Sequence, residues 1–242
     1  EIPGEAREQI EAGRPTLSQA EKEYFSLLER SAISGGPPKD GIPSIDNPKY
    51  ISAVEADEWL LPNDVVFGVD YEGFIAAYPQ RILVWHEVVN ESIGGQKVTI
   101  TYCPLTGTSI GFKGRYAPDI SAEFGVSGKL VNSNLIMYDR ISDSYWSQIL
   151  GRAISGLAQG TRLEEFPIVW TTWERWKSKY PETLVLSQQT GFIRNYGERG
   201  DPYGSYLQTN GGYYSSDRTL FRPLYEDTRL RSKEVVVGIR DA

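Results

Sequence analysis

Among 242 residues this chain has one cysteine, one histidine and one methionine. A single thiol excludes an intramolecular disulfide, and it excludes a zinc ribbon or an iron–sulfur cluster built by this chain alone. No apolar run approaches the roughly 20 residues needed to cross a bilayer, so no membrane span is expected. Positive charge is also short: 25 Lys and Arg against 32 Asp and Glu give a net charge of -7. Those cations are scattered, whereas a phosphate-binding face needs them clustered, so nucleic acid is not an expected partner. The densest group, Arg229, Arg231 and Lys233, reads as a solvated face, and no basic amphipathic helix marks a membrane-surface role. A basic-plus-apolar leader is missing and Glu1 stands in place of Met. Any signal peptide has therefore been removed or was never present, and the expected setting is extracellular or at the cell surface, with the leader presumed removed. Sparse His, Cys and Met fit a proteome that avoids oxidisable side chains. The alternative is that the survivors are kept for chemistry.

What the chain has is aromatic and turn-rich. Fifteen Tyr and six Trp among 24 Gly and 14 Pro suggest a β-rich, loop-rich secreted protein. "TLSQAEKEYFSLLERS" reads as a helix capped by Thr16 or Ser18, with Glu21 three residues after Ser18 and apolar positions at Tyr24, Phe25, Leu27 and Leu28. "SGGPPKDGIPSIDNP" breaks it. Ser52 to Leu60 reads as a short capped helix, and from "DVVFGVDYEGFIAAYP" onward the pattern is that of short strands. "TTWERWKSKYPET" is one inserted helix, capped by Thr171 or Thr172 and ended by Pro181. "TLVLSQ" and "EVVVGIRD" read as late strands, and Gly197 to Tyr214 as a long surface loop. The expected fold is α+β with a mainly antiparallel sheet. A helical extension and Gly/Pro linker over 1–40 precede a single β-rich domain over 41–242.

His86 and Cys103 sit on two strand-like runs, "RILVWHEVV" and "QKVTITYC", either side of "NESIGG". Gly94 and Gly95 suit the positive φ angles of a type I′ turn. That turn sets Ile93 opposite Gln96, Val89 opposite Ile100, Glu87 opposite Tyr102 and His86 opposite Cys103. Facing residues have Cβ atoms roughly 4.5–5.5 Å apart, close enough for an imidazole and a thiolate to share a metal ion or a proton. Pro104 restricts Cys103 to extended geometry and should end the ladder, with "LTGTS" turning the chain.

Three chemistries follow. A mononuclear metal site would use His86, Cys103 and Met137, with copper the first expectation and zinc the second. Glu87, Asp139, a carbonyl or water would complete the ligand set. A cysteine nucleophile, Cys103, with His86 as its base is the second reading. There Glu87 should point to the opposite strand face, which leaves Asp139 or Asn132 to orient the imidazole. Ser127 and Lys129 in "SGK" offer a weaker Ser–Lys pair. Asp139, Arg140, Ser147 and Gln148 read equally as pocket groups or as buried, hydrogen-bonded strand ends. The third reading is a secreted assembly subunit, homo-oligomeric or filamentous, that uses its tyrosine-rich loop. Asn90 in "NES" is a formal glycan acceptor near the expected hairpin tip.

The segments "WHEVVN", "TYCPLTGT", "FGVSGKLVNSNLIMYDR", "SYWSQ", "TTWERWKSKYPET" and a terminal "GIR", in this order, resemble an exported archaeal and bacterial family known as domain of unknown function 3179. The resemblance covers roughly Ile42 to Arg240. It implies that His86, Glu87, Cys103 and Pro104 are family hallmarks, and it brings kinship without an activity. Many relatives carry a second cysteine where this chain has Thr106, a departure that counts against a Cys pair for redox exchange or a two-thiolate metal site here.

Overall fold

The computed structural model describes residues 2–197, 201–202, 213 and 215–236. The chain opens with α1 (Gly4–Gly13) and α2 (Gln19–Arg30). α2 begins as its sequence dictates. Ser18 Oγ accepts the Glu21 N–H at 3.2 Å and the Glu21 carboxylate accepts the Ser18 N–H at 3.0 Å, a reciprocal capping box. After β1 (Ile33–Ser34) and the Gly/Pro stretch come β2 (Tyr50–Ser52) and the one-turn α3 (Ala53–Ala56), capped the same way by Ser52 and Glu55. The hairpin β3 (Val65–Tyr71) and β4 (Phe74–Pro79) runs straight into α4 (Gln80–His86). Then follow β5 (Val88–Ile93), β6 (Gln96–Cys103), β7 (Thr108–Lys113), and the small pair β8 (Arg115–Ala117) and β9 (Ile120–Ser121). β10 (Phe124–Val131), β11 (Asn134–Asp139), β12 (Tyr145–Ser147) and β13 (Arg152–Ser155) form a meander. β14 (Glu165–Phe166), β15 (Val169–Thr172), α5 (Trp173–Lys179) and β16 (Leu184–Leu186) complete the elements.

The fold is mixed α+β with strands dominant and sheets mainly antiparallel; β16 beside β4 is a parallel pair. Three sheets stack. The first has the order β1-β10-β11-β12-β13, the second β14-β7-β6-β5, and the third β15-β3-β4-β16-β2. The second is the middle layer and is buried on both faces. Along β6, Val98, Ile100 and Tyr102 pack with Phe67, Val69 and Tyr78 of the third sheet. Cys103, one residue out of phase, joins Val126, Leu135, Met137 and Trp146 of the first sheet. This is the period-2 geometry of a strand, in which neighbouring side chains serve opposite cores. α2 covers the outer face of the first sheet through Phe25 and Leu28, and α3 and α5 cover the outer face of the third through Ala56, Trp173 and Trp176. Ile10 of α1 reaches the core between the first two sheets. Among the described residues no helix is long and apolar enough to cross a membrane.

The Gly94–Gly95 hairpin has the expected register. Their φ angles are +57° and +80°, and Ile93 faces Gln96 while Val89 faces Ile100. One element departs from the sequence expectation: "RILVWH" is helix α4, not strand. Pro79 has no N–H to continue the β4 ladder and its φ of -64° leads into a helix. Gln80 then donates to the Tyr102 hydroxyl at 2.6 Å and Arg81 to Asp64 at 2.7 Å, fixing the first turn. Every α4 residue except Trp85 is buried, so no polar face discloses a helical period. The expected loop from Gly197 to Tyr214 falls largely outside the described residues. Of the expected last strand, Glu234–Val236 carries no strand and the rest also lies outside them.

Candidate functional site: a thiol and a carboxyl in one cavity

Ending α4 at His86 changes which residue meets Cys103. The β5–β6 ladder stops at Val88 opposite Thr101. His86, on the last turn of α4, donates from Nδ1 to the Pro43 carbonyl at 2.7 Å, which leaves Nε2 to accept the Tyr196 hydroxyl at 2.6 Å. Thr190 Oγ1 lies 2.6 Å from the same hydroxyl. The imidazole is a buried latch between α4 and the 190–196 loop, and the expected His86–Cys103 pairing is replaced by these bonds. Burial pushes its pKa down to about 4, opposed by the Pro43 carbonyl and assisted by Arg194. A depressed imidazole pKa means the unfolded chain takes up a proton first. Stability should be complete above pH 6.5 and fall as the pH drops toward 4, by about 3 kcal/mol at 1.4 kcal/mol per unit. Denaturant midpoints at pH 7 and pH 4.5 check this, and in a His86→Gln variant that component should be gone.

Glu87 takes the place expected of His86. It caps α4 with φ +58° and its N–H on the Leu83 carbonyl at 2.7 Å. Its own carbonyl accepts the Tyr102 N–H at 2.7 Å, so the backbone keeps the expected register. A positive φ at a non-glycine residue costs on the order of 1 kcal/mol and is held only where surroundings enforce it. Strand alternation predicts the Glu87 side chain on the face away from Cys103. The left-handed residue breaks that alternation, and Glu87 lines the same cavity as Cys103.

The cavity is about 190 Å³. Ile42, Val126, Leu130, Leu135, Leu105 and Phe221 give it apolar walls. Glu87 is 7% exposed and, among the described residues, its carboxyl has no hydrogen-bond partner; burial pushes it up to about 8. The Cys103 thiol contacts the Ser133 carbonyl at 3.8 Å. Burial pushes that thiol up to about 11 and a negative Glu87 adds to the rise, while the Thr106 hydroxyl and the N–H groups of Thr106 and Leu135 oppose it. Thr106 Oγ1 is itself held by donors from Asn134 Nδ2 and Thr108 Oγ1, both at 3.0 Å. Tyr213, raised chiefly by burial and taking a Leu220 N–H at its hydroxyl, lies within electrostatic reach of the thiol. The sequence offered no sign of Tyr213, and Thr106 stood out there only as the position where many relatives carry a second cysteine. Their proximity comes from the tight β6–β7 turn and from the C-terminal segment laid across β10–β11, where Ser133 Oγ donates to the Phe221 carbonyl at 2.9 Å.

The other candidate residues have structural posts. Met137 is wholly buried on β11 among Phe124, Leu135 and Trp146, and it does not line the cavity. Asp139 accepts from Tyr116, the Ile141 and Ser142 N–H groups, the Ser142 hydroxyl and Trp146 Nε1, all within 3.2 Å. Asn132 Oδ1 takes the Leu224 N–H at 2.8 Å. Arg140 pairs with Asp46 at 2.7 Å, and Gln148 Nε2 donates to Thr101 Oγ1 and the Thr108 carbonyl. Of the two readings, Asp139 and Gln148 follow that of buried, hydrogen-bonded strand ends, whereas Arg140 is exposed. Ser127 donates to the Ile136 carbonyl while the Lys129 ammonium lies 4.4 Å over the Tyr145 ring, so no Ser–Lys pair forms. Asn90 sits mid-strand at 3% exposure with both amide hydrogens engaged, by Asp46 and by the Phe124 carbonyl. Asn90 is thus buried within β5 and not at an exposed hairpin tip, which corrects the expected placement. Among the described residues no group of three or more His, Cys, Asp and Glu side chains gathers to hold a metal.

An α+β fold of three stacked sheets, with one thiol and a carboxyl unpaired among the described residues lining one small, largely apolar cavity, is the class of protein this geometry defines. The chain belongs to the family described as protein of unknown function, DUF3179, matched over residues 39–242. No curated protein and no solved structure matches it.

Proposed function

We propose that the protein is a cysteine-centred enzyme in which Cys103 is the nucleophile and Glu87, in place of His86, is its base. The observation that carries the reading is the Glu87 carboxyl: buried, unpaired among the described residues, held at a left-handed backbone position and sharing its cavity with the chain's single thiol. A thiol attacks as its thiolate, so one pushed up to about 11 needs a base at the moment of reaction. A carboxyl raised to about 8 is a far stronger base than a solvated one and still ionises near neutral pH. The N–H groups of Thr106 and Leu135 and the Thr106 hydroxyl surround the sulfur and would steady negative charge as it develops there.

Copper or zinc is the competing proposal. Cys103 and Glu87 would be its side-chain ligands, two where a closed site uses four. His86 would have to surrender both of its present bonds to join, and Met137 lies off the cavity.

Alkylation by iodoacetamide separates the two. In the enzyme reading the rate at Cys103 rises through pH 8 as Glu87 ionises, and this limb disappears in Glu87→Gln, leaving only the rise of the thiol itself. A profile identical in the two proteins rejects Glu87 as the base. Stoichiometric copper or zinc in protein purified without chelators, lost in Cys103→Ser, would favour the metal.

A further inference from the structure

Resting on the Cys103–Glu87 reading, the cavity also points to a substrate class. We infer that it receives the acyl group of a short, uncharged aliphatic ester or thioester, which Cys103 takes up as an S-acyl intermediate. Size comes first: about 190 Å³ holds the equivalent of about six waters at 30 Å³ each, room for a short acyl chain and not a long one. Chemistry comes second. The walls are Ile42, Leu105, Val126, Leu130, Leu135 and Phe221, with Glu87 the acid among them. Lys129 also borders the cavity, but its ammonium is placed over Tyr145, 4.4 Å from the ring centroid. A carboxylate on the acyl group would therefore meet apolar carbon and Glu87, with no cation among the described residues placed to pair it.

The hydroxyl and N–H of Thr106 and the N–H of Leu135 favour negative charge on the sulfur, and they would steady the thiolate from which attack begins. Glu87 accepts the thiol proton as sulfur bonds to the carbonyl carbon. The carbon–oxygen or carbon–sulfur bond to the leaving group then breaks, and Glu87 returns that proton to the departing alkoxide or thiolate. The products are S-acyl Cys103 and the free alcohol or thiol, with no oxidant or reductant required. Leu220 lines the cavity and is 59% exposed, so the leaving group has a path to solvent along that side.

The test uses the full chain with p-nitrophenyl acetate, butyrate and hexanoate and with the mono-p-nitrophenyl ester of succinate, followed by p-nitrophenolate release and intact mass. Butyrate should add one acyl group per chain, none in Cys103→Ser. Glu87→Gln should acylate about 100-fold more slowly, the scale of a lost general base. Glu87→Asp, which keeps a carboxyl, should recover part of the rate. The succinyl ester matches butyrate in chain length but carries a carboxylate, and it should react at least about tenfold more slowly, the worth of about 1.4 kcal/mol. Succinyl transfer as fast as butyryl overturns the inference. So does a Cys103 that iodoacetamide alkylates with the Glu87-dependent profile but that no ester acylates, an outcome which leaves the base assignment standing. If the alkylation profile ignores Glu87, both fall together.

Discussion

Glu87→Gln should yield a protein that is harder to unfold at pH 8.5 and much poorer at deprotonating its cysteine. The carboxyl's pKa is raised from 4.5 to about 8 by burial alone. Below pH 4.5 both folded and unfolded chains hold the proton, and the group costs nothing. Between pH 4.5 and 8 the unfolded chain releases it while the folded chain keeps it, so stability falls as the pH rises and levels off above 8. At 1.4 kcal/mol per unit the full penalty is roughly 5 kcal/mol. A glutamine amide avoids it but is itself buried without a partner, at about 1–3 kcal/mol. The net effect should be a gain of about 2–4 kcal/mol at pH 8.5 and a loss of about 1–3 kcal/mol at pH 4.5, where the protonated carboxyl carries no penalty, read from denaturant midpoints at both pH values. An equal change at the two would mean that the carboxyl does not feel its burial. A residue that lowers stability at working pH and also sits at a strained backbone angle has no structural reason to be acidic, which is the thermodynamic side of its proposed role.

The tight turn, the strand ends and the helix caps were legible because each is local chemistry. Gly94 and Gly95 specify their turn whatever surrounds them, and Ser18 with Glu21 specifies a helix start. The register derived from that turn carries as far as Glu87, whose carbonyl takes the Tyr102 N–H. What failed was the step from register to side-chain direction. α4 is short and buried nearly all round, so its apolar residues show neither a helical nor a strand period. The left-handed turn at Glu87 has no glycine to announce it. Together they send the imidazole to Pro43 and Tyr196 and bring Glu87 into the cavity that Cys103 lines. Asn90 failed for a related reason: the tripeptide is visible, but that β5 is a buried edge beside β10 is a property of the stacked sheets.

Asn90→Ala should be the most damaging polar substitution in the central sheet. The amide is fully used. Nδ2 donates to Asp46 at 2.7 Å and to the Phe124 carbonyl at 2.9 Å, and Oδ1 accepts from Thr99 Oγ1 at 3.0 Å and from the Phe124 N–H at 2.9 Å. It is the polar bolt between the second sheet, the first sheet at Phe124, and the linker at Asp46. Alanine removes all four bonds and leaves both backbone groups of Phe124, itself wholly buried, without those partners. At about 1–3 kcal/mol for each orphaned buried group, the loss should be about 4 kcal/mol. Ser92→Ala is the discriminating control, because it destroys the same glycan-acceptor tripeptide at an exposed position while sparing the amide. Stability measured on protein from an expression host capable of glycosylation should drop for Asn90→Ala and hold for Ser92→Ala. If both fell alike, a sugar on Asn90 would be supplying the stability and the four-bond amide would not exist in the native molecule. If only Asn90→Ala falls, the amide is what locks the middle sheet to the wall of the cavity that Cys103 and Glu87 share.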